Sequence, residues 1–163
     1  LSDLPPIGAG EMYDGDPIHI ACELSELNTE RIISSTPGGS WKDWPESLKA
    51  ECHKRSTGKT YPSVYGRMEW DKPSPTLTTQ FFGYGNGRFG HPEQNRAISL
   101  REGAILQSFP KNYRFIPPNS RPVIKQLGRL IGNAVPVNLA KVIGQSITLH
   151  ANKHRHLTEL NNP

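Results

Sequence analysis

The spacing of apolar residues changes several times along this chain, and each change marks an element. Residues 1–22 hold no sustained period, and Pro5-Pro6, Gly8, Gly10 and Gly15 predict extended or turning backbone. Leu27 and Ile32 flank Asn28 at the spacing of a hydrophobic staple, which predicts a short helix over 29–35 with Asn28 as its N-cap. Thr36-Pro37-Gly38-Gly39 stops it. Trp41, Trp44, Leu48 and Cys52 recur every three or four residues, a helical stripe that admits Pro45 in its first turn. The tryptophans read as core anchors, and Cys52, on the same stripe, as a buried thiol. From 65 to 82 the pattern becomes strand-like. Leu77, Thr79 and Phe81 alternate with Thr76, Thr78 and Gln80, while Pro73 and Pro75 confine the start of the strand to a sheet edge.

Gly83, Gly85, Gly87 and Gly90 then predict a loop with access to positive φ, and Asn86-Gly87 signals a tight turn. Gly85, Gly87 and Gly90 match a Gly-x-Gly-x-x-Gly spacing, but the dinucleotide motif requires a helix directly after it and none follows. Helical signals dominate the remainder. Ser99 and Glu102 form a capping box for a helix over 100–108, which Pro110 ends with Phe109 extended. After a proline-broken connection, Ser120 is expected to cap a helix with Val123, Ile124, Leu127, Leu130 and Ile131 on one stripe, interrupted at Gly132-Asn133. A last helix over 137–150 is expected to bury Leu139, Ala140, Ile143 and Ile147, leaving 151–163 as a flexible polar tail. The expected class is α+β, a small mixed region through residue 97 and helices from 98 to 150.

Composition narrows the function. At 163 residues the chain holds one ordinary domain. Gly and Pro number 15 each, a loop-rich share against a combined average of roughly 12%. A hydrophobic content of 34% predicts a modest core or a surface completed by a partner. The net charge of +4 favours an anionic partner. Lys49, Lys54, Arg55 and Lys59 form a basic connection able to meet phosphates as sequence-blind point charges. No apolar run approaches the ~20 residues that span a bilayer. The start lacks the basic and apolar regions of a secretory signal, and the absence of an initiator Met predicts that the chain begins inside a longer reading frame. Two cysteines in dissimilar settings give no disulfide framework and fit a reducing cytoplasm. The sparse acidic residues lack metal-ligand clustering, which argues against a metal-dependent hydrolase. His150 and His154, four residues apart near the tail, read as a chance pair.

Two stretches carry a specific likeness. The first is Ser99-Leu100-Arg101-Glu102-Gly103-Ala104-Ile105-Leu106-Gln107-Ser108-Phe109-Pro110, and the second is Gly128-Arg129-Leu130-Ile131-Gly132-Asn133-Ala134-Val135-Pro136. In this order they closely resemble the last two sequence motifs of the DNA cytosine-5 methyltransferases. A looser third likeness, from Tyr65 through Trp70-Asp71-Lys72-Pro73-Ser74-Pro75-Thr76 to Thr79, falls where that family has its target-recognition region.

The resemblance implies that residues 1–97 are a target-recognition region and that 98–150 complete an α/β domain dependent on S-adenosylmethionine (SAM). Double-stranded DNA is the implied substrate, within prokaryotic restriction-modification at the nucleoid. In the family a flipped cytosine enters the pocket, a Pro-Cys thiolate adds to C6, and a Glu from Glu-Asn-Val assists at N3. None of those groups is here. Cys22 follows Ala21 and Cys52 follows Glu51, so the chain carries no catalytic residue and no metal site is expected. The implied partner is an N-terminal catalytic region or a separately encoded subunit. Asn133, by its side chain, and Ala134 and Val135, mostly by backbone, are assigned to the wall of the SAM and cytosine pocket. Arg101, Glu102 and Gln107 would organise the seam between recognition and catalytic parts. Arg67, Thr76, Thr78, Thr79, Arg88, His91 and Arg96 are candidates for base or phosphate contact, since Arg reads guanine bidentately and Thr reads base edges or methyls. The alternative reading is a non-catalytic, sequence-specific DNA-binding module or subunit.

Overall fold

The structure, a computed structural model, describes residues 1–55, 57–58, 62–118 and 120–160. Lys59 of the basic connection and residues 161–163 of the tail lie outside the described residues. The described elements are β1 (Met12–Tyr13), β2 (Asp16–Ile20), α1 (Glu26–Ile33), α2 (Glu51–Lys54), α3 (Leu100–Leu106), α4 (Ile124–Asn133) and α5 (Val137–Leu160). Short 3-10 turns lie at Trp41–Asp43 and Tyr84–Asn86. The class is α+β, with one small antiparallel sheet and five α-helices among the described residues.

The hairpin is a feature the sequence pattern missed. Met12 pairs with Ile20 and Tyr13 with Asp16, with an irregularity between Met12 and Tyr13. A two-residue strand is too short to display alternation. α1 begins earlier than expected: Ser25, not Asn28, is the N-cap, and its hydroxyl accepts from the Asn28 amide at 3.3 Å. Asn28 instead lies inside the helix and accepts from Arg31.

The stripe from Trp41 to Cys52 is not one helix. Trp44 is extended at ψ 149°, the conformation a following proline favours, so Pro45 breaks the helix instead of sitting in its first turn. Trp41 and Trp44 are buried as expected, but the phase is lost by α2. Cys52 is therefore exposed, and His53 takes the buried place, stacked on Trp41 with ring centroids 4.2 Å apart.

No strand forms over 76–82. Pro73 and Pro75 withhold two amide donors, and the segment runs unpaired before turning Phe81 into the core. Isolated bridges join Arg67 to Gly90 and Gly90 to Ala97. The glycine-rich loop bends through its 3-10 turn, and among the described residues the positive-φ glycines are Gly10 and Gly38, not those of this loop.

α3 carries the predicted capping box, with Ser99 Oγ accepting from the Glu102 amide at 3.1 Å and Glu102 accepting from the Ser99 amide at 2.6 Å. α4 starts at Ile124 without a side-chain cap, so Ser120 does not serve, and it continues through Asn133. Leu127 and Ile131 are buried on it, whereas Val123 and Leu130 face solvent. α5 departs most. It extends through the expected tail to Leu160, and Leu139, Ala140, Ile143 and Ile147 are exposed because no described element covers them.

Two apolar clusters hold the rest. One gathers Ile18, Phe81, Phe89, Ile98, Leu100, Ala104, Leu127 and Ile131, drawing on both sides of residue 97. The other gathers Ile32, Trp41, Trp44, Leu48 and Tyr84. Gly103 and Gly132 set the depth of the first cluster, since a Cβ would strike the Phe81 ring at one and the Thr78 carbonyl at the other. The helices thus close directly onto segment 78–81.

Between the clusters lies a buried ion pair. Arg96 donates from Nη1 and Nη2 to both Glu102 oxygens at 2.7 and 2.8 Å, and from Nε to the Ile7 carbonyl at 3.0 Å. Its fork joins the amino-terminal segment, the 91–97 loop and the first turn of α3. Burial raises the Glu102 pKa, but the Arg96 hydrogen bonds and charge outweigh it and hold the carboxyl below its ordinary value. His91 Nδ1 accepts from the amides of Glu93 and Gln94 at 3.1 and 2.9 Å, so the ring must stay neutral there. Burial depresses its pKa to about 4.

Two outcomes follow for stability. Glu102→Gln leaves the Arg96 guanidinium buried without its counter-charge and should cost about 3–5 kcal/mol in urea unfolding. Recovery of stability when Arg96 is also replaced, as Arg96→Met with Glu102→Leu, would separate lost charge balance from lost packing. For pH, His91 is neutral when folded but titrates near 6.5 when unfolded, so its contribution is complete above pH 6.5 and drains away as pH falls toward 4. The Glu102 contribution is present above its ordinary value of 4.5 and is lost below that, as pH falls through the folded pKa. Thermal melts between pH 7 and 4 should decline, and His91→Asn, which keeps an acceptor but cannot titrate, should flatten the upper part of that decline.

Candidate nucleic-acid interface and pocket wall

The unpaired segment 73–79 owes its shape to two prolines and one anchor. Leu77 packs against the first cluster, and Thr76, Thr78 and Thr79 are left exposed. A row of hydroxyls thus stands on extended backbone with no sheet partner. Arg88 is exposed beside it, lining a depression of about 200 Å³ with Met68, Glu69, Lys72, Pro73 and Pro75. Its loop is pinned from behind: the Gly66 amide donates to Gly87 at 3.1 Å, Gly90 donates to Gly66 at 2.9 Å, and Met68 donates to Gly90 at 2.9 Å.

The other candidate contact residues lie inside the protein. Arg67 Nη2 donates to the Ile32 carbonyl at 2.8 Å and to Asn95 at 2.7 Å, while burial lowers its pKa and leaves its Nε without a partner. His91 and Arg96 are buried in the network around Glu102. Their side chains organise the loops and present nothing to solvent. Arg101 is likewise occupied, forking onto Asp16 and donating to the Tyr113 carbonyl at 3.1 Å, which ties the hairpin to α3.

Gln107 has a different task. Its side-chain amide donates to the carbonyls of Ile131 and Ala134, both at 3.1 Å, capping the carboxyl end of α4. Its own carbonyl accepts from the Val137 amide at 3.0 Å, and Ser108 Oγ accepts from the Asn138 amide at 3.2 Å, capping the start of α5. Both sides of the turn 133–136 are therefore held by two adjacent residues. The same residues end α3 in a Schellman arrangement, with Phe109 donating to Ala104 at 3.0 Å and Ser108 to Ile105 at 2.8 Å. That geometry puts Ser108 at φ 57°, where glycine is usual, and its hydroxyl is the reason a side chain is tolerated there. Neither Ser108 nor Asp16 is marked by any local pattern. Their partners lie 30 and 85 residues away, and a serine before Phe-Pro was the available hint.

The clamped turn leaves Asn133 and Val135 exposed, and Ala134 partly so. Between it and the threonine segment lies a cavity of about 310 Å³ lined by Ser74, Thr76, Leu77, Gln107, Ala134 and Pro136. The fold thus brings Thr76, Gln107 and Ala134 to one cavity, sets Arg88 beside Pro73 and Pro75 of the same segment, and leaves Arg67, His91, Arg96, Arg101 and Glu102 out of the cavity lining. The Asn133 side chain has no hydrogen-bond partner among the described residues. No group of three or more His, Cys, Asp or Glu is placed to share a metal ion among the described residues, and no helix among them is long and apolar enough to cross a membrane.

This arrangement has relatives. Type II methylase M.HgiDII of Herpetosiphon aurantiacus is 59% identical over 139 residues, a stretch that covers 85% of this chain and 39% of the relative. Type II methyltransferase M.Eco47II of Escherichia coli is 36% identical over 143 residues, covering 85% of this chain and 32% of the relative. DNA (cytosine-5)-methyltransferase 3 of Arabidopsis thaliana is 33% identical over 172 residues, 90% of this chain and 12% of the relative. The chain thus spans about two fifths or less of the length of these relatives. The profile of the C-5 cytosine-specific DNA methylase family matches residues 11–149 and takes in the hairpin, the threonine segment and the clamped turn alike. The chain belongs to the C-5 cytosine-specific DNA methylases.

Proposed function

We propose that this chain is the DNA-recognising, pocket-closing part of a SAM-dependent DNA (cytosine-5) methyltransferase of a restriction-modification system in the prokaryotic cytoplasm. The observation that carries the reading is the cavity shared by Thr76, Gln107 and Ala134, because it joins an exposed, hydroxyl-bearing segment to a turn fixed on both sides. Residues 1–97 recognise the duplex. Residues 98–150 close the pocket against a catalytic region that supplies the Pro-Cys thiol this sequence lacks.

The residues at the turn fit the edge of a SAM site. Asn133 offers an amide with an unused donor and acceptor, Val135 an exposed apolar surface, and Ala134 and Gln107 a wall of matching mixed character. SAM, when bound, supplies the methyl group. This chain contributes position: Gln107 and Ser108 immobilise the turn, so Asn133 and Val135 are presented without reorganisation on binding. Thr76, Thr78 and Thr79 meet the duplex close to the pocket mouth. The apolar face of α5, with Leu139, Ile143 and Ile147, docks on the catalytic region.

Methyl transfer from labelled SAM to duplex DNA tests the reading. The chain alone should transfer nothing, and the chain combined with its catalytic region should be active. Activity of the chain alone would overturn the proposal, and sequence-specific DNA binding with no transfer in the combination would favour a non-catalytic module. Gln107→Leu, which frees the Ile131 and Ala134 carbonyls, should raise the KM for SAM several-fold more than the KM for DNA. An equal change in both would assign Gln107 to stability alone.

A further inference from the structure

Three arginines stand in the recognition region with a sequence-level case for touching DNA, and the fold separates them. Arg67 and Arg96 are buried, with their guanidinium groups held by carbonyls, an amide and a carboxylate. Arg88 is exposed, and among the described residues its guanidinium has no ion-pair or hydrogen-bond partner. Nearby Lys72, by contrast, is neutralised by Glu69 at 3.0 Å.

The stem of Arg88 is held as firmly as its head is free. It lies against Gly66, where a Cβ would collide with the arginine's Cγ. The backbone on either side is paired, Gly87 to Gly66 and Gly90 to Met68, and the neighbouring Phe89 and Tyr84 are sunk into the two apolar clusters. An arginine on a flexible loop suits phosphates, which accept many approaches. One whose stem is wedged and whose fork is unoccupied suits a planar acceptor pair in a single geometry.

Resting on the function proposed above, we infer that Arg88 is a specificity-determining residue that reads the O6 and N7 acceptors of one guanine in the target duplex. The threonines of the 76–79 segment position the backbone alongside. Arg88 thus fixes a G·C pair at one position of the target sequence, in an orientation set by the loop.

The test uses the complete methyltransferase, this chain with its catalytic region, on a library of duplexes read out by mapping methylated cytosines. Arg88→Ala should reduce discrimination at a single G·C position by about 5- to 150-fold while discrimination at the other positions is held. Placing 7-deazaguanine at that position should weaken wild type and leave Arg88→Ala indifferent. Arg88→Lys should restore discrimination only in part. A uniform loss across all sequences, with the salt slope reduced by about one, would make Arg88 a phosphate contact and overturn the inference. An unchanged target profile in Arg88→Ala would overturn it too, with the proposed function intact. A wild-type enzyme that methylates no defined sequence would instead bring down the proposed function, and the inference with it.

Discussion

The bidentate pair between Arg96 and Glu102 is the constraint on which the rest of the structure depends. Both groups are essentially out of contact with water, a position that is costly unless every donor and acceptor is matched. Here the match is close: Arg96 also donates from Nε to the Ile7 carbonyl and from Nη1 to the Ala97 carbonyl, and Glu102 accepts from the Ser99 amide as well. The pair therefore fixes three backbone segments at once and sets where α3 begins. Its full set of hydrogen bonds forms only when the amino-terminal strap, the 91–97 loop and the helix cap are all in place, which gives a chain with little sheet structure a cooperative centre.

From that centre α3 acts as a short axle. Its first turn is held by the ion pair and by Arg101 on Asp16, and its middle lies directly on Phe81 because Gly103 has no side chain. Its last turn leads into the clamp on the 133–136 turn, made by Gln107 and Ser108. Seven helical residues thus connect the 91–97 loop at one end with the α4–α5 turn at the other.

Local signals made part of this legible. The capping box at Ser99 and Glu102 needs only residues three apart, and it was visible in the letters, as were the buried tryptophans. The strand over 76–82 was misread because alternation alone does not supply a pairing partner, and Pro73 and Pro75 remove the donors a ladder would use. The helix through Trp41 and Cys52 failed for a similar reason, since the periodicity was right at its start and Pro45 reset the phase. Arg67, His91 and Arg96 look in sequence like any basic side chains of a DNA-binding surface. Only the contacts across the fold turn two arginines and a histidine inward and leave Arg88 outside. Glu102 was legible as a cap but not as the counter-charge of Arg96, because the capping box accounts for its carboxylate in full and no local pattern announces that the same oxygen also accepts from a buried arginine.

α5 carries the same reasoning to the edge of the chain. Every side chain described on it, from 137 to 154, is exposed, including Leu139, Val142, Ile143, Ile147 and Leu149. Helices in water draw most of their stability from packing an apolar face, and an unsupported one is marginal even when its intrinsic propensity is good. Here the first turn is tethered by Gln107 and Ser108, yet the apolar side chains described beyond it stay exposed. The tether gives the helix a direction, and the apolar stripe gives it a surface still to be covered. On the function proposed above, a catalytic region docking on that stripe would bury it beside a turn that Gln107 and Ser108 already hold in place. Covering the helix would then also set the docked region against the 133–136 turn, so that burial of the stripe and closure of the proposed pocket would be one event.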